Sequence, residues 1–359
     1  MKVLVGLSGG VDSAYAARRL IELGHEVEGC AIKMHEHTDI DMARKCADSL
    51  GIKFRVIECT APFEKIIKNN LVNEYLAART PNPCIICNAE IKFKYLYEVA
   101  MREGFDAIAT GHYASVVICG NDGAYSRPYT VGDIVGKNER VTLRVGFDEK
   151  KDQTYMLYRV GEEVLRKLIL PLSNMTKGQV RAAAEAAGIP SAHARDSQEI
   201  CFLDGENYAD YIERVKGKVP RGNFISETGE VLGAHEGIIR YTVGQRKGLG
   251  ISSTSRIFVT DINPMTNEIT LSNTDKLSTT VYVSDLRLLG ISEGTEPAEY
   301  DLSVKLRYAK ASIPAKVIIS GNIATLKLAT PQRAVTSGQS AVFYKDGILI
   351  GGGIIDRSE

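Results

Sequence analysis

The chain has no net charge, no long apolar run and no dense cysteine framework, and each absence excludes something. Its 44 basic residues are matched by 44 acidic ones. Phosphate binding normally leaves a basic footprint, so this balance argues mildly against a nucleic-acid partner, although one basic face fits inside a neutral total. No apolar stretch approaches the roughly 20 residues a membrane helix needs. The opening residues Met1 to Leu7 are too short for the apolar part of a signal peptide and run straight into a glycine-rich turn. The expectation is a cytoplasmic protein with no membrane partner. Cysteines number only seven, an odd count spread over the chain. In a reducing compartment they are buried packers, metal ligands or reactive thiols, not structural staples. There is no internal repeat and no low-complexity tract.

What is present reads as a globular protein of two or three domains: 359 residues, 44% hydrophobic and 25% charged. Residues 2 to 7 are almost wholly apolar or β-branched, as a strand buried on both faces would be. The pattern predicts helices over 13–23, 42–50, 63–78 and 89–103, alternating with strands over 26–33, 53–58 and 106–109. Helices are also expected near 153–160 and 177–187. Strands alternating with helices indicate a parallel, doubly wound sheet. Beyond about residue 205 Gly, Thr, Asn and Ser become frequent, and from about 276 the texture is all-β. The expected division is an α/β domain over 1–204, a small central linking domain over 205–275, and a terminal β-barrel over 276–359.

Two segments carry chemistry. Ser8-Gly9-Gly10-Val11-Asp12-Ser13 lies between the first strand and its helix. Its glycines let backbone approach a phosphate, its hydroxyls can donate, and the helix that follows adds free amides and a positive dipole end. The lysine of GxxxxGK[ST] is absent, and so is GxGxxG. The second segment is Thr80-Pro81-Asn82-Pro83-Cys84-Ile85-Ile86-Cys87-Asn88. Two prolines stiffen it. With Asn88 as the cap of the following helix, Cys87 would stand at a helix N-terminus, where the dipole favours a thiolate. Half of a zinc site is the alternative, though no second close cysteine pair exists. Cys30, Cys46, Cys59 and Cys119 stand singly in apolar or helical stretches and read as packers. Cys201, in Asp196-Ser197-Gln198-Glu199-Ile200-Cys201-Phe202, ends the α/β region, where ligands collect above parallel sheets.

The first hexapeptide resembles the pyrophosphate loop of the ATP pyrophosphatase superfamily, whose members cleave ATP between the α and β phosphates. TPNPCIICN with Ile91-Lys92-Phe93, and SQEICF, are similar to the two cysteine motifs of the bacterial tRNA-specific 2-thiouridylases, the MnmA family. So are Ala109-Thr110-Gly111-His112-Tyr113-Ala114, Lys151-Asp152-Gln153, the run from Tyr241 to Gly250, and the run from Gly338 to Tyr344. These blocks keep the family's order from residue 6 to residue 353. The resemblance implies a Rossmann-like fold of the adenine nucleotide alpha hydrolase type, followed by the small central domain and the barrel. It implies that Gly6, Leu7, Ser8, Gly9, Gly10, Val11, Asp12 and Ser13 bind ATP, with Asp12 helping to hold Mg2+. Met34 and Gly111 would touch the nucleotide as well. Cys87 would be the nucleophile and Cys201 the persulfide carrier. Asn82, Pro83 and Cys84 would face the target base. His112, Lys151, Asp152, Gln153, Arg307, Tyr308 and Gln339 would meet the tRNA. No resident metal is implied.

The chain departs from the family in three places. Cys84 stands where some members carry aspartate, His35 to Asp41 is a shorter loop, and Thr336-Ser337-Gly338 replaces Thr-Pro-Gly. The implied reaction adenylates the C2 oxygen of the wobble uridine. Sulfur taken from a donor protein is then transferred through a Cys201 persulfide, leaving a Cys87–Cys201 disulfide. Three other readings stand beside it. A glutamine-dependent synthetase would need an ammonia-producing segment, and the chain opens directly on the phosphate-loop strand. A thiolase could carry an iron–sulfur cluster on Cys84, Cys87 and Cys201. A non-catalytic tRNA-binding protein would have no use for an intact loop and both cysteine motifs.

Overall fold

The computed structural model describes residues 1–121, 123, 125–194, 200–252, 255–292, 296–309 and 311–359. Asp196, Ser197, Gln198 and Glu199 of the second cysteine motif lie outside the described residues. The N-terminal sheet has five parallel strands. Strands β1 (Lys2–Gly6), β2 (Glu26–Lys33), β3 (Lys53–Glu58) and β4 (Ala107–Ala109) are joined by a two-residue strand at Leu168–Ile169, in the order β3-β2-β1-β4 and then 168–169. Val3, Leu4 and Val5 are wholly buried because the central strand is covered on both faces. Helix α1 (Val11–Glu22) turns Ala17 and Leu20 onto the sheet and packs Val11 and Ala14 against Cys46, Ala184 and Ile189, and α2 (Ile40–Ser49) is capped by Asp39, whose carboxylate accepts from the Met42 amide at 3.0 Å.

Two stretches expected as single helices are broken into turns of different width. Thr60 to Leu76 passes through a wide π-helical segment at Glu64–Lys68, and Pro83 to Arg102 through another at Asn88–Phe93. Wide turns of this kind are frequent near functional sites. Pro83 occupies the first helical position, so the helix starts at Asn82 and not at Asn88. Cys87 therefore lies inside a continuous helical stretch. The Asn88 amide donates to the Met156 carbonyl at 3.0 Å instead of capping anything.

A helix over Tyr208–Lys216 leads into a four-stranded sheet built from Gly222–Ser226, Val231–His235, Phe258–Asn263 and Glu268–Ser272. Its two inner strands pair in parallel, Ile269 opposite Phe224. The last region is a closed antiparallel barrel of six strands. Leu277–Leu288 pairs with Ile323–Arg333 on one side and with the final strand Ile348–Ser358 on the other, which completes the circle. Closure removes exposed strand edges.

Sequence reading did not foresee that the α/β region contributes strands to this barrel's sheet. Ala114–Gly120 and Glu139–Val145 form an antiparallel pair, and Arg144 bridges to Ile348. Two aromatic side chains pin the same seam. The Tyr155 hydroxyl donates to the Ser340 carbonyl at 2.9 Å, and the Tyr158 hydroxyl lies 3.1 Å from Ser340 Oγ. Gly352 makes room for this: a Cβ there would stand 2.9 Å from the Tyr158 ring and 2.6 Å from the Ala341 carbonyl oxygen.

Candidate active site

The phosphate-loop segment forms the turn from β1 into α1. Gly10 precedes the helix in extended conformation and gives it no side-chain cap, so the first amides of α1 remain available to a ligand. Ser13 Oγ donates to the Gly10 carbonyl at 3.0 Å and accepts from the Ser8 amide at 3.1 Å, with Ser8 Oγ 3.2 Å away. Gly9 takes φ of +79°, a conformation that suits glycine. Gly111 lies against the start of α1, where a Cβ would come within 2.5 Å of the Asp12 backbone. Asp12 is held from two sides. The Tyr113 hydroxyl donates to Oδ1 at 2.7 Å, and Lys177 Nζ pairs with Oδ2 at 2.6 Å.

The cysteines converge beside this loop. Cys87 is buried, and its thiol points to Met34 Sδ at 3.6 Å. The next residue, His35, brings its Nε2 within 3.3 Å of Cys201 Sγ. Consecutive residues just after β2 thus touch the two sulfurs, one from the middle and one from the end of the α/β region. Burial pushes the Cys87 thiol up to about 12, partly opposed by the charge of Lys92. The dipole argument for a low Cys87 pKa is therefore corrected. The thiol has a full helical turn before it and a dry environment around it, and desolvation outweighs the distant helix end. Cys201 is exposed as a residue, but its sulfur lies against the buried His35 ring. Loss of water on that side raises its pKa, again against Lys92. Burial works against the charge of Lys92, yet Cys87, Cys84 and Cys201 together hold its pKa above the ordinary lysine value. Cys84 is half-buried; Cys30, Cys46, Cys59 and Cys119 are all buried. Among the described residues no three His, Cys, Asp or Glu side chains are arranged to hold a metal ion, the trio Cys84, Cys87 and Cys201 included.

The barrel reaches this centre through one loop. Gln339 Nε2 donates to the Thr80 carbonyl at 2.8 Å, and the Thr80 amide donates to the Ser337 carbonyl at 2.8 Å. Arg307 braces the loop from behind, donating to the Ala334 carbonyl and Thr336 Oγ1, each at 2.6 Å. Asn82 Nδ2 points to Met156 Sδ at 3.8 Å, with Pro83 buried beside it. Of the residues expected to meet tRNA, several are engaged within the fold. Asp152 is buried, accepts from the Thr154 hydroxyl at 2.8 Å and faces Lys305 at 3.7 Å. Gln153 accepts from the Tyr113 amide at 2.8 Å. His112 Nδ1 lies 2.9 Å from Thr110 Oγ1, and burial with Lys92 nearby lowers its pKa to about 3, so the ring is neutral. Tyr308 is exposed and Lys151 half-buried.

Three family models match in order along the chain. The tRNA methyl transferase HUP domain covers residues 1–205, the tRNA methyl transferase PRC-barrel domain covers 209–273, and the aminomethyltransferase beta-barrel domain covers 278–355. A protein of Clostridium tetani named tRNA-specific 2-thiouridylase MnmA is 38% identical over 374 residues, spanning 99% of this chain and 98% of the relative. Proteins of the same name from Acetivibrio thermocellus and Treponema denticola are each 39% identical, over 99% and 100% of this chain and 99% of each relative. The chain belongs to the tRNA-specific 2-thiouridylase family. Its parallel-sheet HUP domain is of the ATP-using pyrophosphate-loop type, followed by the PRC-barrel domain and the six-stranded barrel.

Within this 2-thiouridylase framework, sequence reading missed four residues at the centre. Lys177 and Tyr113 meet at Asp12, Lys92 sits among the sulfurs, and His35 touches Cys201. Lys92 stood inside a matched block without an assigned role, and Tyr113 was expected beside His112 near the flipped base, not at Asp12. Lys177 had one local signal, its place as first residue of a helix with a Thr176–Gln179 capping box. His35 had none, since its partner is 166 residues further along the chain.

Proposed function

We propose that this chain is an ATP-dependent tRNA 2-thiouridylase that adenylates the C2 oxygen of the wobble uridine and replaces it with sulfur, releasing pyrophosphate and AMP. One observation supports this above the others. Met34 and His35, adjacent at the rim of the phosphate-loop sheet, contact Cys87 and Cys201 at 3.6 and 3.3 Å. Methyl transfer, which two of the matching domain descriptions carry in their names, would leave this pair of thiols without work.

Residues 6–13, with Gly111 behind them, cradle the ATP phosphates on the free amides of α1, and Met34 borders the nucleotide. Asp12, whose carboxylate pairs with Lys177 and Tyr113 in the free protein, would hold magnesium together with the substrate phosphates, and the ion would supply charge neutralisation for the departing pyrophosphate. The uridine is flipped from its loop to reach the site, against Asn82, Pro83 and Cys84. A partner protein supplies sulfane sulfur to Cys201. The terminal sulfur of the Cys201 persulfide attacks C2, and AMP leaves with the bonding pair. The Cys87 thiolate then attacks the inner sulfur, so that the transferred sulfur departs on the base and a Cys87–Cys201 disulfide remains for reduction. In the variant route Cys87 frees sulfide first, and the same disulfide results. The barrel loop at 336–339, braced by Arg307, holds the cysteine motif through Thr80 and Gln339. Lys151 and Tyr308 would meet the tRNA, with His112, Asp152 and Gln153 supporting that side from within the fold. The setting is the cytoplasm.

Cys87→Ser and Cys201→Ser should each abolish formation of 2-thiouridine while ATP and tRNA still bind. Full thiolation by Cys201→Ser sinks the sulfur-relay reading.

A further inference from the structure

Among the described residues His35 is a buried imidazole in contact with the sulfur of Cys201. The ring is 3% exposed, and its Nε2 lies 3.3 Å from Cys201 Sγ. Its orientation is fixed from two sides. The Thr38 hydroxyl accepts from the His35 amide at 3.2 Å and sets the backbone. The ring leans on Phe63 at a centroid distance of 5.4 Å. Phe63 in turn meets Phe202, the residue after Cys201, edge to face at 5.6 Å. One aromatic chain therefore aligns the imidazole and the thiol together. The other ring nitrogen, Nδ1, is buried with no partner among the described residues. A histidine held only for packing would have no need of a sulfur at hydrogen-bond range while its second nitrogen stays dry.

We propose that His35 is a catalytic residue for loading Cys201, its Nε2 taking the Cys201 thiol proton as that sulfur attacks the persulfide of the donor. This rests on the sulfur-relay reading above. The step balances without an oxidant. Cys201–SH and a donor R–S–SH give Cys201–S–SH and R–S⁻, with the proton on His35. The bond formed joins Cys201 Sγ to the sulfane sulfur, and the bond broken joins that sulfur to R–S. The leaving thiolate carries away the electron pair. The loaded terminal sulfur is then exposed, while the protonated imidazole donates back to the sulfur it deprotonated. The groups facing His35 allow this. Burial and the neighbouring His37 lower its pKa, with Lys68 and Lys92 acting the same way from two other helical segments and Glu36 acting against them. The resting ring is thus neutral, with a nitrogen free to accept, as a general base requires.

The experiment uses the full chain with glutathione persulfide as donor and iodoacetamide as a second probe, both read by peptide mass spectrometry at each cysteine. His35→Gln keeps a polar group but not the base, and His35→Phe keeps only the shape. In both, sulfane loading and alkylation of Cys201 are expected to slow at least tenfold, with alkylation of Cys84 in the same molecules unchanged. Loading of Cys201 at the native rate overturns the proposal. So does an equal change at Cys84 and Cys201, which would mark the imidazole as a structural prop. The site-resolved rates are read without tRNA, so they stand apart from the Cys201→Ser thiolation result that judges the sulfur-relay reading itself.

Discussion

Cys87 should be nearly inert toward an external electrophile in the free protein, although it is the residue assigned the nucleophilic role. The perturbation is iodoacetamide at a series of pH values. Alkylation follows the thiolate fraction. Burial moves the Cys87 thiol from 9.0 to about 12, and three units correspond to about a thousandfold less thiolate at any pH well below 9. At pH 8 the same cysteine in the urea-unfolded chain is about 10% ionised and in the folded chain about 0.01%. Peptide mass spectrometry after timed quenching should show Cys87 reacting about a thousandfold more slowly than its unfolded counterpart. The same shift links to stability. Because the folded-state pKa is the raised one, the contribution is intact below pH 9 and is lost as pH climbs from 9 toward 12, at about 1.4 kcal/mol per unit. A folded-state rate within tenfold of the unfolded one would refute the burial argument and restore the helix-dipole reading.

Three further outcomes follow from the same contacts. Lys92 lowers the pKa of both Cys87 and Cys201, so Lys92→Met should raise them and slow sulfur transfer, with ATP binding retained; unchanged single-turnover transfer contradicts this. Asp12→Asn removes the charge that pairs with Lys177 while its amide oxygen can still accept from Tyr113, and tRNA-dependent pyrophosphate release should fall about a hundredfold, while release at the native rate contradicts it. Gly338 has φ of +87°, and a Cβ there would lie 2.8 Å from the Thr80 amide nitrogen; Gly338→Ala should cost about 2 kcal/mol or more in urea unfolding and depress thiolation, whereas a shift under about 0.5 kcal/mol would show that the loop gives way freely.

The parts of this molecule that were legible in the sequence are those whose signal is local. Strands β2 and β3 lie where their apolar runs stand, and Pro83 carried the mark of a helix start, although it was read as part of a stiff extended break. The strands at 114–120 and 139–145 were invisible for a different reason. They pair mainly with each other, and only 139–145 joins the final barrel strand, by the single bridge of Arg144 to Ile348, which no nearby turn pattern announces. The cysteine motifs marked candidate residues but not their state. Cys87 sits next to a proline-rich turn in sequence and in a dry, helical surrounding in space, so its ionisation could be judged only after packing was known. His35 and Lys177 belong to the same class: each acquires meaning from a partner more than 160 residues away.

The most direct test of the account follows one turnover of the persulfide-loaded protein with ATP and tRNA, measuring thiouridine by nucleoside mass spectrometry and the state of both cysteines by non-reducing peptide mapping. One Cys87–Cys201 disulfide should appear for each 2-thiouridine formed. Thiouridine accumulating while both thiols remain free would contradict it.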